Sequence, residues 1–122
     1  MKTTAKFLLI IISNLFLVYC TYEDIPDDEK SGEIELKSGQ EFRYDFNISG
    51  DEEGASIITQ AEHAEVSQLI RDESTNWSVV YRYKSVAGYT GIDSVEIETC
   101  TGGDGISCNQ LDTLIFTFHV VK

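Results

Sequence analysis

The stretch Glu41-Phe42-Arg43-Tyr44-Asp45-Phe46-Asn47-Ile48 alternates polar and apolar residues without a break. Successive side chains of a β-strand point to opposite faces of the sheet, so this period of two predicts a long strand over 41–48. Its apolar members, three of them aromatic, fit a pleated surface that is buried on one face. The segment therefore indicates a β-sheet protein with one apolar face per strand.

Similar short segments recur about every ten to fifteen residues from Glu33 onward, separated by Gly, Asp, Ser and Asn. Residues 55–60 and 66–70 fit strands less cleanly, and a short helix over 61–70 is an open alternative. About seven strands result, which predicts an all-β sandwich or barrel. The apolar faces are predicted to comprise Ile34 and Leu36; Trp77, Val79, Tyr81 and Tyr83; Val95, Ile97 and Thr99; Leu114, Phe116, Phe118 and Val120.

The chain of 122 residues has room for one domain and is strongly acidic, with a net charge of −12. Without residues 1–19, which contain Lys2 and Lys6 and no acid, 7 basic and 21 acidic residues leave a charge of −14. Such a surface repels phosphates, so we expect no nucleic-acid partner. The charge is interpreted as a solubilising coat, with calcium binding as the alternative.

The first residues have the form of a secretory signal. A basic start, Met1–Lys6, precedes the apolar run Phe7–Tyr19. A membrane-spanning helix needs about 20 apolar residues, and Thr21, Glu23 and Asp24 end this run too early. The segment therefore predicts export rather than a permanent transmembrane helix.

Leu17-Val18-Tyr19-Cys20 resembles the lipobox of bacterial lipoproteins, in which the cysteine is acylated and becomes the first residue of the mature chain. The resemblance implies a signal peptide over residues 1–19, a lipid modification at Cys20 and a membrane anchor. Tyr19 stands where a small residue is usual. Cleavage after Cys20 by an ordinary signal peptidase, which would leave a periplasmic or secreted protein without an anchor, is the alternative.

Residues 20–32 are rich in acids and contain the only proline, and they show no apolar periodicity. This composition predicts an extended, self-repelling tether. An acidic cluster after a lipidated cysteine also resembles the signal by which some Gram-negative bacteria move lipoproteins to the outer leaflet. That resemblance implies a location at the outer membrane or cell surface, while a plain solvated linker is the alternative.

Three stretches, 59–66, Tyr81-Arg82-Tyr83 and Gly88-Tyr89-Thr90-Gly91-Ile92-Asp93-Ser94-Val95, resemble bacterial immunoglobulin-like and cadherin-like modules of secreted proteins. The resemblance covers roughly residues 33–122 and implies an immunoglobulin-like antiparallel β-sandwich of about seven strands. Ala61, Ala64 and Ser85 stand where those modules have proline, glycine and proline. The best-matching run has a structural explanation: Gly88 and Gly91 permit a tight corner, Tyr89 can cover the end of the sandwich, and Asp93 can accept backbone N–H bonds.

Cys100 and Cys108 flank a glycine-rich loop between the last two predicted strands. With Cys20 used for lipidation, these two form a natural disulfide pair in an oxidising compartment, worth roughly 2.5 kcal/mol for so short a ring. A metal site is the alternative, although neither His63 nor His119 has the spacing of a zinc ligand. Loops at the ends of sandwiches carry binding, so the candidate contact loop consists of Gly102, Gly103, Asp104, Gly105 and Ile106.

Catalytic motifs are missing from the sequence: it has no nucleophile elbow, metal-binding histidine motif or phosphate loop. We therefore expect no enzyme, no catalytic residue, no metal and no cofactor.

The favoured hypothesis is an envelope lipoprotein whose domain binds a protein or glycan partner or assists a surface complex. A purely structural spacer and a secreted unanchored protein are the alternatives, and a small hydrolase or inhibitor has the least support. An exposed aromatic patch would favour binding over a spacer.

Overall fold

The computed structural model describes residues 30–122 and consists of seven strands and one short 3₁₀ turn. The predicted signal peptide, the lipidation site Cys20 and the tether up to Glu29 lie outside the described residues. Within 30–122 there is no helix long and apolar enough to cross a membrane. The strands are β1 (Lys30–Lys37), β2 (Glu41–Asp45), β3 (Gly54–Thr59), β4 (Ala64–Ile70), β5 (Val80–Ser85), β6 (Gly91–Thr101) and β7 (Gln110–Val121), and the 3₁₀ turn is Glu73–Thr75.

Two sheets pack face to face, which confirms the predicted all-β sandwich of seven strands. The first sheet has the order β1-β7-β6-β3 and the second the order β2-β5-β4. All pairs are antiparallel except β1 with β7, which run parallel with Lys30 opposite Leu114 and Lys37 opposite Val121. The predicted antiparallel arrangement therefore holds for every pair except this one, and β1 starts before the predicted domain boundary at Glu33.

The core lies between the sheets and is built mainly from aromatic rings on β2, β5 and β7. Tyr83 stacks on Phe118 with ring centroids 3.8 Å apart, and Phe42 meets both Phe116 and Phe118 edge to face. These arrangements suit the charge distribution of aromatic rings and add to the free energy gained by burying their area. Except for Trp77 and Tyr44, which are 59% and 37% exposed, the residues predicted for the apolar faces are buried or half-buried.

The loops gather at two ends of the sandwich. At the end where β1 begins, here called the amino end, lie the β2–β3 loop (46–53), the β4–β5 loop (71–79) and the β6–β7 loop (102–109). At the opposite end, here called the carboxyl end, lie the loops 38–40, 60–63 and 86–90 and the last residue, Lys122. This division follows from the strand directions and decides which loops can act together.

The second strand is shorter than its alternation predicts. β2 ends at Asp45, and Asn47 adopts a left-handed conformation with φ 55°. The Asp45 carboxylate accepts a hydrogen bond from the Asn47 N–H at 2.8 Å, which stabilises this turn. Beyond this point the Phe46 N–H still donates to the Val79 carbonyl and the Val79 N–H donates to the Ile48 carbonyl, both at 3.0 Å.

Trp77 is the one large residue that the alternation misplaces. Asn76 and Trp77 both have positive φ, 51° and 63°, at the end of the 3₁₀ turn. This reversal turns the indole outward, where it is 59% exposed, and β5 starts only at Val80. In the segment where a short helix was the alternative, residues 64–70 form strand β4.

Candidate binding surface at the amino end

The predicted disulfide is present: Cys100 near the end of β6 is bonded to Cys108, with a Cα–Cα distance of 5.6 Å. It closes the hairpin loop between β6 and β7, where Thr101 opposite Gln110 is the last paired position. The metal alternative for these two cysteines is thereby excluded. The bond joins the two ends of the candidate contact loop.

The candidate contact loop is further fixed from within by Asp104. Its carboxylate accepts hydrogen bonds from the N–H groups of Ser107 and Ile106 at 2.7 and 2.9 Å, and its own N–H donates to the Ser107 carbonyl. The bond from Ser107, followed by that from Ile106, lowers the pKa of the Asp104 carboxyl below its ordinary value of 3.8. Gly102 and Gly105 supply positive φ at either side of the turn. The tip side chain, Ile106, is 95% exposed.

Gly103 allows the contact loop to lie against the turn 50–53. A Cβ at this position would come within 2.6 Å of the Ser107 carbonyl oxygen and 3.1 Å of that of Glu52. Only glycine fits two backbones this close. The contact loop and the acidic turn Asp51-Glu52-Glu53 therefore form one surface, with shallow depressions between them.

Arg71, directly after β4, joins two further loops at this end. Its guanidinium donates to the carbonyls of Glu53 and Gly50 at 2.7 Å and of Ser49 at 2.8 Å, while its Nε donates to the Trp77 carbonyl at 3.1 Å. These four hydrogen bonds, here called the Arg71 bridge, use the planar fork of donors that only arginine offers. No motif marks Arg71 in the sequence, and only the folded arrangement of the loops reveals its role.

The amino end thus presents two exposed hydrophobic side chains on loops of fixed shape. Trp77 lies on the 71–79 loop, whose backbone the Arg71 bridge attaches to 49–53, and Ile106 lies on the disulfide-closed loop that contacts Glu52. The 3₁₀ turn before Trp77 is itself capped by Asp72, which accepts from the Ser74 N–H. Sequence reasoning placed Ile106 in this surface but assigned Trp77 to the core.

The predicted corner residues lie at the carboxyl end. Asp93 is only 5% exposed, and its carboxylate accepts bonds from the Glu62 and His63 N–H groups at 3.0 Å and from the hydroxyl of Tyr83. Burial, together with the bond to Asp93, raises the pKa of the Tyr83 hydroxyl. The expectation that Asp93 would accept backbone N–H bonds therefore matches the structure, and these bonds attach the β3–β4 loop to β6.

The glycines of this corner meet specific demands of the backbone. Gly88 has φ 85° in the turn closed by the bond from the Tyr89 N–H to the Val86 carbonyl. Gly91 has φ 141°, and a Cβ there would lie 2.9 Å from the Tyr89 hydroxyl oxygen. Tyr89 does cover this end, where it stacks on the His63 ring at 4.2 Å.

The two histidines do not come together. His63 stacks on Tyr89 at the carboxyl end, whereas His119 faces outward on β7, where its Nε2 lies 3.9 Å from a Glu33 carboxylate oxygen. Over residues 30–122, no group of three or more His, Cys, Asp or Glu side chains is arranged to hold a metal ion. The acidic turn 51–53 therefore offers charge at the amino end without a preformed calcium site.

Comparisons with known proteins show no family for the chain. No family model matches it, and no curated protein matches it. Among solved structures it is similar to an endo-fucoidan hydrolase from glycoside hydrolase family 107, at a TM-score of 0.46 and 12% identity over 77% of this chain. It is also similar to a cysteine protease inhibitor from Entamoeba histolytica, at a TM-score of 0.44 and 6% identity over 76% of this chain and 93% of the inhibitor. The chain spans 13% of the hydrolase, and neither similarity carries over an activity.

Proposed function

We propose that this protein is a non-enzymatic envelope lipoprotein, anchored through Cys20, whose immunoglobulin-like domain binds a protein partner through its amino end as an accessory to a surface complex. The observation that carries the proposal is the pair of exposed side chains Trp77 and Ile106 on loops of fixed shape. A spacer needs neither exposed hydrophobic side chains nor loops of fixed shape.

The two side chains have the chemistry of an interface. Tryptophan is enriched among the few residues that dominate binding free energies. Burial of a side chain exposed as fully as that of Ile106 contributes favourable hydrophobic free energy to binding. The disulfide, the Asp104 turn and the Arg71 bridge hold these loops in one conformation before a partner arrives. Preorganisation of this kind lowers the entropy that association costs.

The place of the surface relative to the anchor favours a partner in the same envelope layer. β1 begins at Lys30 and runs parallel to β7, so the chain joins the domain at the amino end. The ten residues from Cys20 to Glu29 can span at most roughly 36 Å. With Cys20 in the membrane, Trp77 and Ile106 would stay within tether reach of that membrane, as an accessory of a membrane-held complex requires.

Anchorage is tested by labelling cells that express the protein with a fatty-acid probe. Wild type should incorporate the probe and partition into detergent, because several acyl chains bind a membrane almost permanently. Cys20→Ala should abolish labelling. Labelling that persists in this variant would refute the anchor, and an unlabelled wild type would point to the secreted, unanchored alternative.

Partner binding is tested by chemical cross-linking in the native envelope, followed by purification of the lipidated protein. A Trp77→Ser, Ile106→Ser variant should lose a cross-linked product that wild type forms. The matched control is Val86→Ser, Ile92→Ser, which removes two exposed aliphatic side chains at the carboxyl end. Equal loss in both variants, or no product with wild type, would favour the spacer over the binding module.

A further inference from the structure

A cleft of about 190 Å³ opens between the two sheets at the amino end. It arises because β2 stops at Asp45, whereas β6 continues to Thr101 and β7 begins at Gln110. The part of the first sheet near its end is therefore left without a strand opposite it. Nothing in the sequence pattern predicts this opening, since the alternation suggests a strand that continues to Ile48.

One wall of the cleft is apolar and the other is mainly polar. The apolar wall consists of Tyr44, Phe46 and Ile48, and the opposite wall, here called the polar wall, includes Thr99, Thr101 and Asp112 and also the apolar Leu114. Tyr44 is 37% exposed and its ring is anchored 5.0 Å from that of Phe46 and 5.0 Å from that of Phe116. The aromatic wall is thus both accessible and fixed by the core behind it.

The polar wall has a carboxylate of defined position. Asp112 Oδ2 accepts a hydrogen bond from the Gln110 Nε2 at 3.0 Å, and its backbone carbonyl accepts from the Thr99 hydroxyl at 3.3 Å. None of the residues lining the cleft is basic, so no neighbouring cation in the cleft neutralises Asp112. A ligand that enters must suit an aromatic wall and a fixed negative charge at once.

We infer that this cleft accepts a guanidinium group, the arginine side chain of a protein partner. The flat guanidinium stacks on an aromatic ring and donates at its edge to a carboxylate, and its charge is attracted by the ring and by Asp112 together. Arginine is also among the residues enriched at the centres of interfaces. The acidic chain attracts such a partner at longer range.

Other occupants fit the two walls less well. An aliphatic side chain would cover the Asp112 carboxylate without compensating its charge, which costs free energy. A pyranose ring would donate hydroxyl groups to the carboxylate but would leave the charge itself unpaired. A lysine ammonium would pair with Asp112, but it lacks the flat face that can lie along Tyr44.

The inference deepens the proposed function by naming the chemistry of the partner, and its test depends neither on the anchor nor on Ile106. The protein is isotope-labelled and purified from the expressing cells with whatever signal-peptide cleavage and lipid modification it has undergone there. It is then titrated with N-acetyl-arginine amide, and binding is followed by NMR. The backbone amides of Tyr44, Phe46, Thr101 and Asp112 should shift and saturate. The uncharged citrulline analogue should bind at least about tenfold more weakly, the ratio expected for loss of one charged hydrogen bond.

Asp112→Asn keeps an oxygen acceptor for Gln110 and the backbone carbonyl that Thr99 uses, so it removes the charge with little change of shape. It should lower the affinity for the arginine amide about tenfold and abolish the preference over citrulline. The control is Glu35→Gln, which also removes one negative charge but lies on the exposed outer face of β1. It should change neither the affinity for the arginine amide nor the preference over citrulline. Equal binding of arginine and citrulline amides, tighter binding of methyl glucoside at the same amides, or no shift with arginine amide would each overturn the inference.

Discussion

The guanidinium of Arg71 donates to the carbonyl of Gly50 at 2.7 Å and thereby joins the end of β4 to the loop that follows β2. The same side chain reaches Ser49, Glu53 and Trp77, so it adds four side-chain hydrogen bonds to the backbone bonds by which Val79 already joins these two loops of the amino end. The proposed binding surface depends on this bridge as much as on the disulfide.

Arg71→Lys should therefore lower the free energy of unfolding by about 1 to 3 kcal/mol, because an ammonium cannot serve four separated carbonyls. Chemical denaturation monitored by fluorescence of Trp77, the only tryptophan, would measure it. Arg43→Lys is the control, since the exposed Arg43 makes only a loose 3.7 Å ion pair with Glu41. Its effect should stay within about 0.5 kcal/mol. Equal stabilities of the two variants would contradict the importance of the bridge.

Loss of the Asp93 carboxylate should destabilise the domain severely. In Asp93→Ala the buried Tyr83 hydroxyl and the N–H groups of Glu62 and His63 lose their acceptor, at a cost of roughly 3 kcal/mol or more. Tyr83→Phe removes one donor and should cost about 1 kcal/mol. A double-mutant cycle by denaturation should show coupling, with Asp93→Ala less harmful in the Tyr83→Phe background. Additive effects would show that the buried bond contributes nothing of its own.

Alkaline pH should unfold the domain through its buried tyrosines. Burial raises the pKa of Tyr81 from its ordinary 10.0 to about 12. The unfolded chain therefore releases this proton at lower pH than the native one, so stability is fully present below pH 10 and is lost as pH rises towards 12. A shift of this size corresponds to roughly 2 to 3 kcal/mol. The ionisation of Tyr81, followed by the absorbance of its tyrosinate, should coincide with loss of the folded signal. Ionisation of Tyr81 near pH 10 in a protein that stays folded would contradict this.

Removal of the disulfide should loosen the contact loop without destroying the sandwich. Cys100→Ser, Cys108→Ser should cost roughly 2 to 3 kcal/mol of unfolding free energy, the chain-entropy estimate for so short a ring. The yield of the cross-linked product with the partner should fall more than stability does, because a mobile loop must be ordered on binding. Mass spectrometry of the non-reduced native protein checks the bond itself, and free thiols at both positions would refute it.

Calcium should have little effect on stability. The acids of the turn 51–53 and the contact loop are not arranged as a preformed site within the described residues, so dispersed carboxylates should bind the ion weakly. Millimolar calcium should therefore raise the melting temperature only slightly, with magnesium as the control for general screening. A calcium-specific rise above about 10 °C, several kcal/mol for a domain of this size, would reveal a site.

Much of the sandwich was predictable because strand alternation is a local property. Leu114, Phe116, Phe118 and Val120 alternate with polar neighbours, and each does lie in the core. The Cys100–Cys108 bond was predictable too, since two cysteines flanking a short glycine-rich loop are close in space whatever the rest of the chain does.

The errors occur where local pattern competes with turn geometry. Trp77 continues the alternation of Val79, Tyr81 and Tyr83, yet the positive φ at residues 76 and 77 sends its side chain outward. Phe46 and Ile48 likewise extend an unbroken pattern past Asp45, where the left-handed Asn47 ends the strand. Alternation indicates to which face of a sheet a side chain would point if the residue were in a strand. It does not indicate at which residue the strand ends.

The identity and the buried face of the strands with clean alternation, β1, β2, β5, β6 and β7, were therefore contained in the order of the residues, because side-chain direction repeats every two positions along an extended chain. Only the tertiary structure decided that β1 pairs parallel with β7, because Ile34 and Leu36 would alternate in the same way in either direction. The same holds for the Arg71 bridge and for the cleft beside Asp112. Both depend on distances between segments far apart in the chain, which are set by how the two sheets pack and where each strand ends.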